Sequence, residues 1–375
     1  MKIAVVSPSY GYGGSNIVTA NLGKELLQHH EVFFFPYKFT TNFSDIPEER
    51  FQYIGADHSG LRKIWDKFGK GSEFFIKKEF TPGKYYKKEI ENLLDQIEAR
   101  QIELVILSSF ESSVLFAEAL KLTKPELKII SWMHEAVDYS FGELTKNYPT
   151  AFQKGLALSD AIVCLTHQDQ AKYLEINKHS TVIYNPVVLE YNRRSRLEER
   201  VISFTTRLNI EVKGLDYLVE AAQILPEDWK VRVAGHGRPD QIESFQALLR
   251  ERDLGQRIDF VGPLQGVDLA NHYFNSSIFL STSRTEGLPL VLIEALFFGL
   301  PIISFDHSGG KEILGDGQFG KLVKVGDVSG LQQTLLAMIQ QPEERVFWQK
   351  QSVKRAQDFE TEKIVQQWLQ LLAEI

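Results

Sequence analysis

Cysteine is almost missing from this chain: the only one, Cys164, stands in the apolar run 161–165. One thiol closes no internal disulfide, which suits a reducing compartment, and in that setting it acts as a small buried hydrophobe. The sequence contains no CxxC, no HExxH and no Asp-x-Asp. A structural zinc site, a zinc-protease helix and a diphosphate held through a divalent metal are therefore not expected. There is no G-x-x-x-x-G-K-[ST] loop for ATP and no G-x-S-x-G nucleophile elbow, which argues against a P-loop ATPase and a Ser–His–Asp hydrolase. An excess of positive charge is also lacking: 42 Lys and Arg against 49 Asp and Glu leave a net charge of −7, so no nucleic-acid partner is expected. Long charge-free hydrophobic runs are absent too. The most apolar stretch, 288–305, carries Glu294, Gly299 and Pro301. A carboxylate at a bilayer centre costs roughly 3 kcal/mol, so this stretch reads as a core helix followed by a strand. Met1-Lys2 precede only four apolar residues before Ser7-Pro8, which does not resemble an export signal.

What is present is a pattern of short apolar runs separated by amphipathic stretches. At 375 residues and 43% hydrophobic content, the chain suits two folded domains. Runs at 3–6, 31–35, 103–107, 127–131 and 161–165 alternate with helical periodicity, predicting βαβ units and a parallel sheet. The pattern breaks at Tyr184-Asn185-Pro186 and a charged stretch at 191–200 reads as a linker. Alternation then restarts with runs at 201–204, 229–235, 257–262, 277–281 and 301–305, and the last 50 residues have a helical pattern without a strand. The fold class is thus α/β, with two doubly wound domains at 1–185 and 186–357. Ligands in such sheets bind at the carboxyl ends of the strands.

Five features fall at strand ends. Gly13 and Gly14, in a glycine turn after the first run, can bring backbone N–H groups to an anion, although Asn16 replaces the last glycine of a dinucleotide fingerprint. Arg207 and Lys213 flank the entry to a helix and are either solvated surface charges or a diphosphate clamp. In 286–294, reading EGLPLVLIE, Pro289 suits a helix start, so Leu288 and Leu290 can offer free amides. Glu286 stands at the mouth. Glu294 lies within apolar surroundings, where it either pairs with a distant cation or accepts bonds from paired hydroxyls such as those of a ribose. His134 follows a strand as a structural histidine, a proton carrier or a hydroxyl-binding group. Gly235 and Gly237 form a loop that can approach a flat base.

One segment reverses the overall charge: residues 61–88 hold nine Lys and Arg against three acids, with seven aromatics interleaved. Such a segment suits an anionic membrane surface, and aromatics between basic residues can also stack on single-stranded nucleic acid; the alternative is a solvated helix pair with its aromatics turned to the core.

Taken together, Glu286-x7-Glu294, Arg207-x5-Lys213-Gly214 and Gly13-Gly14 make the chain resemble, over essentially its whole length, the retaining GT-B-fold glycosyltransferases of family 4. That resemblance implies two Rossmann-like domains facing across a cleft. The first would bind the acceptor and the second the donor, with a C-terminal helix of about 358–375, carrying Phe359 and Trp368, crossing back to the first. It implies that Arg207 and Lys213 hold the donor diphosphate with help from the amides of Gly14, Leu288 and Leu290. Glu286 would meet the transferred sugar, Glu294 the ribose, and His134 would lie beside the sugar. It also implies a hexose moved from a nucleotide sugar, a UDP-sugar by family frequency, to an envelope glycan, glycolipid or lipid-linked acceptor, with no metal or other cofactor. The place of action would be cytoplasmic, at the inner face of the membrane. Two departures are visible: Glu135 follows His134 where Asp is commoner, and GLPL stands for the frequent GFGL. The alternatives are a sugar-nucleotide epimerase or hydrolase on the same fold and a non-catalytic partner subunit.

Overall fold

The computed structural model describes every residue except Tyr12, 43–44, 57–58 and 188–192, and only the backbone for 60–64. Tyr12 of the glycine turn and Tyr191 and Asn192 of the expected linker thus lie outside the described residues. Contacts divide the chain into two units, Met1–Pro186 with Thr361–Ile375, and Val187–Glu360.

In the first unit six parallel strands, β1 (Lys2–Ser7), β2 (Glu31–Pro36), β3 (Leu104–Ser108), β4 (Lys128–Trp132), β5 (Ala161–Cys164) and β6 (Ser180–Val182), lie in the order β2-β1-β3-β4-β5-β6. Val6 is level with Phe35 on one side and Leu107 on the other, and all three are fully buried. Helices cover both faces, which is why the strands read as unbroken apolar runs. Two helices matter below: α1 (Gly14–Leu26), directly after β1, and α2 (Gly60–Lys77).

The second unit repeats the architecture with β7 (Val201–Arg207), β8 (Lys230–His236), β9 (Ile258–Gly262), β10 (Ile278–Ser281), β11 (Ile302–Phe305) and β12 (Lys321–Val323) in the order β12-β11-β10-β7-β8-β9. Ile202, Phe204, Val231, Leu280 and Ile303 form its core. The apolar stretch 288–305 resolves into α3 (Leu290–Phe297) and β11, followed by α4 (Ser308–Leu314). Among the described residues no helix is long and apolar enough to cross a membrane. The three-residue strands β6 and β12 were not marked by any apolar run.

The last helix, α5 (Thr361–Glu374), returns to the first unit. There the fully buried Trp368 meets Trp132 edge-on, with ring centroids 4.9 Å apart. Phe359 does not travel with it: that ring stays in the second unit, 4.9 Å below the Arg355 guanidinium. In each sheet the strand order reverses once, between β1 and β3 and between β7 and β10, and such reversals open a crevice at the carboxyl edge.

Candidate active site

The reversal in the second unit gathers the expected residues. Arg207 ends β7 with its side chain exposed and its guanidinium without a partner among the described residues. The chain then turns through Ile210–Lys213, capped by the Asn209 side chain accepting from the Val212 N–H at 3.0 Å. Gly214 stops the turn at φ +62°. The left-handed backbone there favours glycine, and a Cβ would also collide with the Thr282 carbonyl oxygen. Thr282, just past β10, donates its hydroxyl to the carbonyls of Lys213 and Gly214 at 3.1 and 2.8 Å.

This bond locks the β7 loop to the β10 loop, and the result is contact between Lys213 and Glu286. The ammonium and carboxylate pair directly, and Glu286 Oε1 also accepts from the Ser283 hydroxyl at 2.8 Å. Burial pushes the Glu286 carboxyl upward, but Lys213, the nearby His307 and the Ser283 bond outweigh it, leaving the group below the usual carboxylate range. Glu286 is therefore an ionised acceptor at neutral pH.

Glu294 is placed differently. Pro289 caps α3 rather than opening it, and Glu294 lies within the helix. Its partner is not a distant cation: the Tyr273 hydroxyl donates to Oε2 at 2.5 Å. Burial raises its carboxyl above the ordinary value despite that bond. Leu288 is buried and Leu290 half-buried at the helix entrance. Gly235 lies inside β8, level with Thr206, where a Cβ would strike the Thr206 carbonyl oxygen; close strand packing alone requires glycine there. Gly237, in the loop beyond, stands against Leu208 and Gln241.

In the first unit, Gly13 caps α1 at φ +134° and accepts from the Ile17 N–H at 3.0 Å, and Gly14 is the first helical residue. One helical turn on, the Thr19 hydroxyl donates to the Ser15 carbonyl at 2.7 Å and lies 2.5 Å from Ser108 Oγ, which is 2.8 Å from His134 Nε2. Proton counting orders this chain. Thr19 spends its hydrogen on Ser15, so Ser108 donates to Thr19 and must accept from His134 Nε2–H. His134 Nδ1 keeps its lone pair and is covered, with no partner among the described residues. Burial lowers its pKa to about 3, so the ring is neutral near pH 7 and stores no proton there. Among the described residues no three His, Cys, Asp or Glu side chains cluster as metal ligands.

Residues 191–355 match the family described as Glycosyl transferases group 1. An uncharacterized glycosyltransferase of Haemophilus influenzae is 30% identical over 282 residues, 73% of this chain and 77% of that one. The chain belongs to this family. It is a glycosyltransferase of the retaining GT-B class. The lipopolysaccharide 1,6-galactosyltransferase of Salmonella typhimurium is 26% identical over 340 residues, 88% of this chain and 87% of its own. The structure of Anabaena HepE in complex with UDP-glucose superposes with a TM-score of 0.78 at 16% identity, covering 100% of both chains; at that identity the likeness establishes the fold.

Three residues of this glycosyltransferase escaped the sequence reading. Ser283 shares Glu286. Arg284 stacks 4.0 Å above Tyr217 and bonds Asp216 at 2.9 Å and the Glu211 carbonyl at 2.7 Å, clamping the segment that carries Lys213. His307 caps α4, its Nδ1 accepting from the Gly310 N–H at 3.1 Å while Nε2 is buried without a partner. Burial takes its pKa down to about 4, against the pull of Glu286, so it is neutral beside the ion pair. A lone histidine in HSGG and a Ser-Arg pair in STSRTEG carry no spacing that would have marked them.

Proposed function

We propose that this glycosyltransferase moves a hexose from a UDP-sugar to an envelope glycan, glycolipid or lipid-linked acceptor at the cytoplasmic face of a membrane, without a metal. The observation that carries the reading is the Lys213–Glu286 pair, at the one place where the second sheet reverses its strand order, with Arg207 ending β7 of the same reversal. A departing diphosphate brings negative charge. Arg207 and Lys213 neutralise it, assisted by backbone N–H groups at Leu288 and Leu290. The ammonium of Lys213 has three donors, so it can hold a phosphate oxygen while keeping Glu286 ionised. Glu286 accepts from hydroxyls of the transferred sugar, Glu294 from the ribose, and the loop at Gly237, just beyond β8, lies against the base. As the acceptor hydroxyl oxygen bonds to the anomeric carbon, the diphosphate leaves with the electron pair of the broken C–O bond and takes up the hydroxyl's proton.

The sugar and acceptor classes are supported by the Salmonella relative, a lipopolysaccharide 1,6-galactosyltransferase, and uridine by the UDP-glucose held in the Anabaena structure. The test is a donor panel of UDP-glucose, UDP-galactose, UDP-N-acetylglucosamine and GDP-mannose, scored by thermal shift and by donor hydrolysis with EDTA present. One UDP-hexose is expected to raise the melting temperature of the wild type but not of Lys213→Ala. Full transfer activity in Lys213→Ala and Glu286→Ala would sink the assignment, and an epimerised donor recovered without acceptor would point to an epimerase.

A further inference from the structure

Over its described side chains, 65–77, helix α2 is mounted with its polarity reversed. Surface helices turn their apolar stripe to the core and their charges to water. Here Asp66, Gly69, Lys70 and Glu73, spaced by three, one and three residues, form the half-buried side. Trp65, Phe68, Phe75 and Ile76 stand in solvent, 73%, 72%, 80% and 78% exposed.

The inner face is satisfied by polar chemistry. The Lys70 ammonium lies 5.8, 5.1 and 5.5 Å from the ring centres of Phe80, Tyr85 and Tyr86. Glu73 accepts from Lys84 at 2.6 Å, from Lys77 at 3.3 Å and from Thr81 and Tyr85 at 3.2 Å each. The Lys84 bond leads in holding its carboxyl down to about 2, against burial. The helix therefore cannot simply roll over to bury its rings.

What covers the outer face is set by its rim. Lys67, Lys77 and Lys78 are exposed around it, with the Lys78 ammonium 5.9 Å from the Phe75 ring centre, whereas Asp66 and Glu73 point inward. Aromatic and aliphatic side chains with exposed lysines at their edge complement an anionic bilayer surface. A second copy of the same face would set lysine against lysine. An 18-residue helix is about 27 Å long, enough to lie flat with its whole apolar side in the headgroup boundary.

We propose that α2 is a docking wedge whose Trp65, Phe68, Phe75 and Ile76 enter the interface of an anionic membrane. Insertion of rings, more than charge, sets the affinity, because Lys70 is turned inward and Lys77 and Lys84 share Glu73. The wedge goes beyond the sugar-transfer reading and does not depend on it.

The experiment is flotation of the full chain with vesicles of phosphatidylcholine alone and of phosphatidylcholine with 30% phosphatidylglycerol. The wild type should float with the anionic vesicles and retain most of that binding in 0.5 M salt. The triple variant Trp65→Ser, Phe68→Ser, Phe75→Ser should lose binding at least tenfold with an unchanged melting temperature and unchanged hydrolysis of soluble donor. The variant Trp65→Phe should still float but lose the part of the tryptophan quenching that brominated lipid causes in the wild type. Equal indifference of the wild type to both vesicles, or a triple variant that floats like the wild type, overturns the wedge. So does a concentration-dependent dimer that the triple variant dissolves while neither protein binds vesicles. Failure here leaves the donor assignment intact, since that is read from hydrolysis without membrane.

Discussion

Lys213 and Glu286 stand 11% and 17% exposed by their side chains, so their pairing falls between two regimes. An exposed pair contributes about 0–1 kcal/mol, and breaking a fully buried one costs about 3–5 kcal/mol. Lys213→Met leaves Glu286 with only Ser283 and the neutral His307, and its cost should fall between those limits. The double variant Lys213→Met, Glu286→Gln should recover part of it, because no uncompensated carboxylate remains; equal instability would argue that the pair is not coupled. The pH dependence has a definite sign. A carboxyl held below its unfolded value contributes stability that is present above the unfolded pKa and lost as pH falls through the folded one. The wild-type advantage over Glu286→Gln in thermal unfolding should therefore persist at neutral pH and vanish in acid below the ordinary carboxylate range. Glu294 calls for a different variant. Its hydroxyl donor is Tyr273, and Tyr273→Phe leaves the acid unsupported without touching Lys213. Under the proposed roles UDP affinity should drop about tenfold, or 1.4 kcal/mol, with turnover at saturating donor unchanged. Calorimetric titration of UDP beside steady-state rates checks this, and a fall in turnover alone contradicts it.

At the scale of elements, the strands were legible because both faces of each sheet are covered, so that apolar runs such as 3–6 and 301–305 stand out from the sequence. The strands β6 and β12 were not, since three residues at a sheet edge carry no run. The candidate residues at strand ends stood out through spacing: Glu286 and Glu294 bracket a helix entrance, and Arg207 and Lys213 bracket a turn. Ser283, Arg284 and His307 were not, because what makes them matter is the packing of one loop on another. Helix α2 shows a subtler limit. Periodicity separates its polar and apolar sides but says nothing of which side meets the protein. Gly235 shows the converse, a glycine read for ligand approach whose close neighbour is the Thr206 carbonyl. Both it and Gly214 face a backbone oxygen that cannot move without breaking a sheet or a loop bond. Gly214→Ala and Gly235→Ala should each cost at least about 2 kcal/mol in urea unfolding. Gly214→Ala should in addition lose donor binding, as the Thr282 bonds position Lys213. Wild-type stability in either variant would mean the loops yield more easily than their hydrogen bonds suggest.

For the whole molecule, the last helix ties the end of the chain to its beginning. The chain leaves the first unit after Pro186 and re-enters it at Thr361. Ile364, Val365, Trp368 and Leu372 of α5 are all buried there, Trp368 against Trp132. Each large apolar side chain withdrawn from water stabilises by about 1.5–3 kcal/mol, so α5 supplies an amount comparable to the 5–15 kcal/mol stability of a whole domain. A chain ending at Glu360 should therefore unfold its first unit at a much lower temperature, while the second unit, which keeps Arg355 and Phe359, melts as before. Differential scanning calorimetry reads this as one displaced transition and one retained transition. Because Trp132 loses its buried partner, near-ultraviolet dichroism from tryptophan should fall together with the displaced transition. A donor-induced thermal shift should persist in the retained transition, since Arg207, Lys213, Glu286 and Glu294 all belong to the second unit. Loss of that shift, with the second transition itself unmoved, would show that donor binding requires the first unit.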